Sequence, residues 1–248
     1  MSTQPFQLHG LDGKLIRGDR TDGRDRQILF ITGFLSKRWG NKSKALAKWC
    51  EEQGWGFCCY DVRGFGDSEG TFTDYTLSDW MADARTILTT LKGGPPVTIV
   101  GNSLGSWIAW LMAQEFELVD RLILIAPAFN MMGVRATHIA PERRRAWQET
   151  GWMPWDDAPL HKDWPLSWKW VEESERYWKT SFDRLRPVRT TILHGLQDTV
   201  ISPDGSRQFA DELRHRAPAF PLDLRLIPGD HRLSSPEQME LLHRLIVE

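Results

Sequence analysis

The chain has little cysteine, little charge imbalance and no long apolar run, and each shortage removes a class of protein. Three Cys in 248 residues cannot build a disulfide framework. Cys58 and Cys59 are adjacent, so on a strand their side chains leave on opposite faces. No CxxC or Cys/His spacing suggests zinc or a redox pair, and the three cysteines read as small apolar core residues. Lys plus Arg number 31 and Asp plus Glu 33, a net charge of −2 with no field to recruit nucleic acid or an anionic membrane. No apolar run approaches the roughly 18 residues of a membrane span. Residues 1–10 lack the basic-then-apolar layout of a signal peptide, and a cytoplasmic location is the resulting expectation. Internal repeats and low-complexity tracts are absent too.

What is present is an ordinary globular composition, 41% hydrophobic and 26% charged, with an excess of tryptophan, 13 in all. Short apolar runs alternate with helical periodicity. Gln27–Thr32, Gly56–Tyr60, Pro96–Val100, Arg121–Ile125, Thr190–Leu193 and Leu222–Ile227 read as buried strands. Lys42–Gln53, Leu77–Leu91, Trp107–Phe116, Arg207–Leu213 and Glu237–Val247 read as helices between or after them. This alternation predicts an α/β fold with a mostly parallel central sheet and helices on both faces. Between Phe129 and Ser181 no β-like run occurs, yet seven of the 13 tryptophans fall there: 147, 152, 155, 164, 168, 170 and 178. The expected organisation is a core of residues 1–128 and 182–248 with a helical lid inserted at 129–181. The lid would lie over the carboxyl ends of the strands, where open α/β sheets hold ligands. Large aromatics suit a segment that must dock through its side chains, and they favour an apolar pocket beneath it.

Gly101-Asn102-Ser103-Leu104-Gly105 is a G-x-S-x-G segment placed after a strand and before a helix, the context of a nucleophile elbow. Ser103 must then occupy a strained turn, and side chains at 101 and 105 would collide with neighbouring backbone. A serine hydroxyl needs a base and an orienting acid. In this architecture the acid follows first and the histidine second. Asp198 closes His194-Gly195-Leu196-Gln197-Asp198 after one strand, and His231 closes Gly229-Asp230-His231 after the next. The expected catalytic set is therefore Ser103, Asp198 and His231. His9, His215 and His243 read as surface residues, His138 and His161 could at most touch substrate, and His194 reads as a structural hydrogen-bonder. Asp230 is the weaker choice of acid. The oxyanion donors expected are the N–H groups of Leu104 and Phe34, with Phe34 and Leu35 also as pocket wall. Leu35, Met131, Met132 and Trp152 are the expected substrate contacts. The Asp61–Ser68 segment (DVRGFGDS) reads as a turn that anchors a loop.

These motifs together resemble the α/β-hydrolase superfamily over almost the full chain. Gly33-Phe34, Asp61–Ser68, GNSLG at 101–105, HGLQD at 194–198 and GDH at 229–231 carry the resemblance. The GFLS and KALA stretches, DVRGFGDSEG and HGLQDTV are similar to the mitochondrial palmitoyl-protein thioesterase and acyl-glucuronide esterase branch and its bacterial relatives. The resemblance implies the same triad and an acyl ester or thioester substrate, either a small molecule or an acylated protein. No cofactor is expected, and no metal is needed, since the Asp and His spacings do not suggest one. Thr32 stands where many members have His, and the mitochondrial members carry an import sequence that residues 1–10 do not resemble. Serine at 103 argues against dehalogenases and epoxide hydrolases, which use aspartate. A C–C hydrolase, an aminopeptidase holding a free amine on Glu172, Glu173 or Glu175, and a non-catalytic binding module are the competing readings.

Overall fold

The computed structural model describes residues 3–155 and 164–248. His161 therefore lies outside the described residues. The strands of the main sheet are β1 (Gln4–His9), β2 (Leu15–Thr21), β3 (Gln27–Ile31), β4 (Gly56–Tyr60), β5 (Val97–Asn102), β6 (Val119–Ile125), β9 (Arg189–Gly195) and β10 (Leu222–Ile227). Two short strands, β7 (Trp152–Met153) and β8 (Leu166–Ser167), pair apart from it. The main sheet runs in the order β1-β2-β4-β3-β5-β6-β9-β10. From β4 to β10 every pairing is parallel, whereas β1–β2 and β2–β4 are antiparallel. The hairpin β1–β2 has its one clear sequence signature in its turn, where Asp12-Gly13 stands and Gly13 takes φ 80°. Its strands are half exposed at the sheet edge and carry Pro5, Gly18 and several charges, so they lack a continuous apolar run.

Alternation along the central strands feeds two apolar clusters, one on each face. Leu29 and Ile31 join one cluster, and Ile28 and Phe30 join the other. Helices α1 (Asn41–Gln53) and α8 (Pro236–Val247) close the second face through Leu46, Cys50, Leu242, Leu245 and Ile246. Helices α2 (Leu77–Thr90), α3 (Leu104–Glu115) and α7 (Pro203–Arg216) close the first. Cys58 and Cys59 fall in different clusters, both buried and free, as their adjacency on a strand requires. Burial pushes the thiols of Cys50 and Cys58 up to about 12, which makes them inert apolar side chains.

Between β6 and β9 the chain forms α4 (Met131–His138), α5 (Pro141–Thr150) and α6 (Trp168–Thr180). The antiparallel pair β7–β8 lies in this stretch too. The expectation that it holds no strand is corrected on that point: two residues are too few to show a period of two. Tryptophans hold this segment together and fix it to the sheet domain. The Trp147 indole donates to the Leu166 carbonyl at 2.8 Å, and the Trp170 indole to the Tyr75 carbonyl at 3.2 Å. From the other side, the Trp110 indole donates to the Ser181 carbonyl at 3.1 Å. Glu173, only 4% exposed, accepts the Ser78 backbone N–H at 2.9 Å in the first turn of α2. Among the described residues, no helix is long and apolar enough to cross a membrane.

Candidate active site

The loops that follow β3, β5, β9 and β10 all emerge at the carboxyl end of the parallel strands. Ser103 stands between β5 and α3 with φ 55° and ψ −119°, a backbone conformation that L-residues rarely adopt. It is held there by hydrogen bonds on both sides. Its N–H donates to the Ile125 carbonyl at 2.8 Å, and its carbonyl accepts from Ser106 at 3.0 Å and Ala128 at 3.1 Å. The glycines permit the turn by absence of side chain. A Cβ at Gly105 would lie 2.2 Å from the Ile31 carbonyl oxygen, and one at Gly101 would lie 2.5 Å from the Ser106 Cα. Both obstacles are backbone, so neither position can take a side chain without moving β3 or α3.

Asp198, 8% exposed, accepts four hydrogen bonds. Oδ1 takes the backbone N–H groups of Val200 at 2.8 Å and Ile201 at 2.9 Å. Oδ2 takes Nδ1–H of His231 at 2.6 Å and Nε2–H of His194 at 3.1 Å. Burial pushes this carboxyl up, but the Ile201 N–H, His231 and the Val200 N–H outweigh burial and hold it below its ordinary value. An ionised Asp198 is an acceptor only, so Nδ1 of His231 carries the proton and Nε2 is left with its lone pair. Ser103 and His231 line the same cavity, and among the described residues no hydrogen bond joins them. Such a contact commonly tightens only when substrate is bound.

The loop carrying His231 is fastened to the loop carrying Asp198. Gln197 donates its N–H to the Gly229 carbonyl at 2.9 Å, and its side-chain oxygen accepts the Gly229 N–H at 2.6 Å. Asp230 turns away from the imidazole and accepts the backbone N–H groups of Arg232 and Leu233, at 3.0 and 3.2 Å. Lys42 donates to the Arg232 carbonyl on the other flank, and burial pushes its ammonium down to about 8.

The loop after β3 is equally fixed. Thr32 Oγ1 donates to the Ser36 carbonyl at 3.2 Å, and the Ser36 N–H to the Gly33 carbonyl at 3.1 Å. Leu35 has φ 55°. The Phe34 ring sits among Phe72, Trp80, Trp155 and Trp170, with centroids 5.4–5.8 Å apart. Among the described residues, the N–H groups of Phe34 and Leu104 have no protein acceptor. The Thr32 hydroxyl thus ties the loop to itself.

The cavity in front of Ser103 has a volume of about 1160 Å³. Phe34, Leu35, Met131, Met132, Phe129 and Trp155 give it an apolar wall. Of the expected substrate contacts, Leu35, Met131 and Met132 line it. Trp152 does not: it stands on β7, 43% exposed, and Trp155 occupies the wall instead. The expectation for Trp152 is corrected accordingly, because a short extended pair turns alternate side chains outward and no sequence periodicity marks which. His138 lines the cavity, and His243 stacks on Trp49 rather than standing free on the surface. None of Glu172, Glu173 and Glu175 lines it, and Glu173 is already committed to Ser78.

The chain is 29% identical over 227 residues to the mitochondrial palmitoyl-protein thioesterase ABHD10 of Mus musculus, across 90% of this chain and 74% of that protein. It is 27% identical over 225 residues to the Homo sapiens protein of that name, across 89% and 71%. Among solved structures, alpha/beta hydrolase domain-containing protein 10 from mouse superposes with TM-score 0.80 at 24% identity, across 99% and 97% of the two chains. An esterase from Pyrococcus furiosus superposes with TM-score 0.71 at 15% identity, across 99% and 92%. At these identities the superpositions establish the fold alone. The expected cytoplasmic location is overturned by the ABHD10 relatives, which are named mitochondrial. That expectation rested on a missing secretory signal, which carries no information about other addresses. Residues 28–245 match the alpha/beta hydrolase family, and the chain belongs to that family.

Proposed function

We propose that this protein is a serine hydrolase of carboxylic esters or thioesters with an apolar acyl group, acting through Ser103, His231 and Asp198. The observation that carries this reading is the 2.6 Å hydrogen bond from His231 Nδ1 to the buried Asp198, at a cavity that Ser103 also lines. With Nδ1 committed to the carboxylate, Nε2 of His231 is the free base for the Ser103 hydroxyl. Attack on the acyl carbonyl forms a C–O bond and places the negative charge on the carbonyl oxygen. The N–H groups of Leu104, at the start of α3, and of Phe34 are the donors for that oxygen. Collapse expels the alcohol or thiol, which takes the proton from His231. Water then attacks the acyl-serine by the same route and frees the acid.

The apolar wall of Phe34, Leu35, Met131, Met132 and Trp155 supports an acyl chain as the group held in the cavity. The thioesterase name of the curated relatives supports the same class of bond. The substrate is a small acyl ester or thioester, or an acylated protein that offers its chain to the cavity. Initial rates on a chain-length series of p-nitrophenyl esters and matched acyl thioesters test the proposal. The expected result is turnover that rises with chain length and disappears in Ser103→Ala. Undiminished turnover in that variant overturns the assignment.

A further inference from the structure

We infer that His194 is a positioning residue for the Asp198–His231 pair, supplying a second imidazole donor to the carboxylate oxygen that orients the base. The inference rests on the serine-hydrolase reading above. His194 is fully buried at the end of β9, four residues before Asp198. Its Nδ1 lies 2.7 Å from Ser206 Oγ on α7, and its Nε2 lies 3.1 Å from both Asp198 Oδ2 and the Ile201 carbonyl. The two acceptors at Nε2 have no hydrogens of their own, so Nε2 must carry the proton. Burial pushes the imidazole pKa down, so the ring is neutral and Nδ1 accepts from the Ser206 hydroxyl. The titratable groups facing the ring are Asp198 from the acid loop and His231 from the loop after β10; α7 presents the Ser206 hydroxyl.

Two imidazoles therefore donate to one carboxylate oxygen. The nearer, His231, is the base; the farther, His194, does not line the cavity that Ser103 and His231 share. Its donor has two effects. It fixes the Asp198 carboxylate in one rotamer, so that Oδ2 stays on His231 while Oδ1 stays on the Val200 and Ile201 amides. It also withdraws electron density from Oδ2, which weakens the stabilisation that Asp198 gives to a protonated His231. A base that is too strongly paired would remain protonated at higher pH and would be slower to return its proton.

Steady-state kinetics across pH on His194→Leu, His194→Gln and Asp198→Asn test this. Leucine removes the donor, and glutamine offers an amide N–H near the position of Nε2. His194→Leu is expected to lower kcat about tenfold with KM within about twofold of wild type. The acid limb of its kcat/KM profile is expected to move up by about half a pH unit. His194→Gln should recover most of both changes. Unchanged kcat and acid limb in His194→Leu, or a glutamine variant no better than leucine, overturns the inference. The ring tautomer in the wild-type protein provides a reading that needs no variant. Histidine 15N chemical shifts should show His194 neutral and protonated on Nε2 throughout the active pH range, and protonation on Nδ1 overturns the inference. Failure of the hydrolase reading itself has a different signature, namely wild-type turnover in Asp198→Asn.

Discussion

Arg38 donates its backbone N–H to Asp61 Oδ1 at 2.6 Å and its guanidinium to Asp61 Oδ2, joining the loop after β3 to the turn after β4. Asp61 is 1% exposed, and Asp19 and Asp67 hold the same guanidinium at 2.6 and 2.7 Å. The Asp61–Ser68 turn thus acts on the site indirectly, by fixing the loop whose Phe34 lines the cavity. Replacing Asp61 by Ala leaves a mostly buried guanidinium with part of its pairing gone, which costs about 3 kcal/mol. The expected result is a lower denaturation midpoint and a fall in kcat larger than any rise in KM. A stability loss with unchanged kcat in the remaining folded enzyme would contradict the link between this turn and the loop carrying Phe34.

Ser103 holds a left-handed φ that only glycine adopts without strain. Ser103→Gly should therefore raise stability by about 1 kcal/mol while abolishing turnover, and Ser103→Ala should abolish turnover with no such gain. Thermal melts of the three proteins check this. Equal melting of the glycine and alanine variants would show that the turn stores no strain.

Asp198 is held below the ordinary carboxylate range, so its ionised form is favoured more in the folded than in the unfolded chain. Its contribution to stability is present above the unfolded pKa of about 4 and is lost as pH falls through the lowered folded value. The stability difference between wild type and Asp198→Asn should be full near neutrality and shrink below about pH 4. Denaturant titrations across pH measure it. A difference that instead grows with acid would contradict the assignment of the ionised form. Turnover in Asp198→Asn should fall by about four orders of magnitude, because the base is left in the wrong tautomer.

Glu173 on α6 caps the first turn of α2 through the Ser78 N–H. Glu173→Ala should cost about 2 kcal/mol by leaving that N–H without an acceptor, and Glu173→Gln should cost less, since an amide oxygen can replace the carboxylate. Ester turnover should be unchanged in both. A selective loss on aminoacyl amides would revive the aminopeptidase reading.

Trp155 forms part of the cavity wall beside Phe34. Trp155→Ala should raise KM for long acyl chains several-fold and leave short esters nearly unaffected, since the substitution removes apolar area that only a long chain would cover. Equal effects at every chain length would place the acyl group elsewhere.

The central sheet and the loops that line the candidate site are legible in the sequence because their signals are local. A buried parallel strand is an apolar run, and the elbow around Ser103 requires glycine where a Cβ at 105 would come within 2.2 Å of backbone. Asp198 and His231 follow from chain order, since successive parallel strands deliver their loops to one end. Strands β1 and β2, at one end of the sheet, are hidden by their mixed composition. That Trp152 turns outward is not readable in the sequence, because side-chain direction in the two-residue β7 depends on its pairing with β8. The second imidazole on Asp198 is likewise out of reach, because His194 and His231 meet only through the folded carboxylate. The DVRGFGDS turn is readable as an anchor, yet not as the anchor of the loop carrying Phe34.

Trapping of the acyl-enzyme distinguishes Ser103 from every other nucleophile of the chain. The protein is mixed with a slowly released acyl thioester, quenched in acid within one turnover and digested for mass spectrometry. The expected result is an added acyl mass on the peptide containing Ser103 in the wild type, longer-lived in His231→Ala where any forms, and absent in Ser103→Ala. An acyl adduct on another residue, or full turnover with Ser103 replaced, would contradict it.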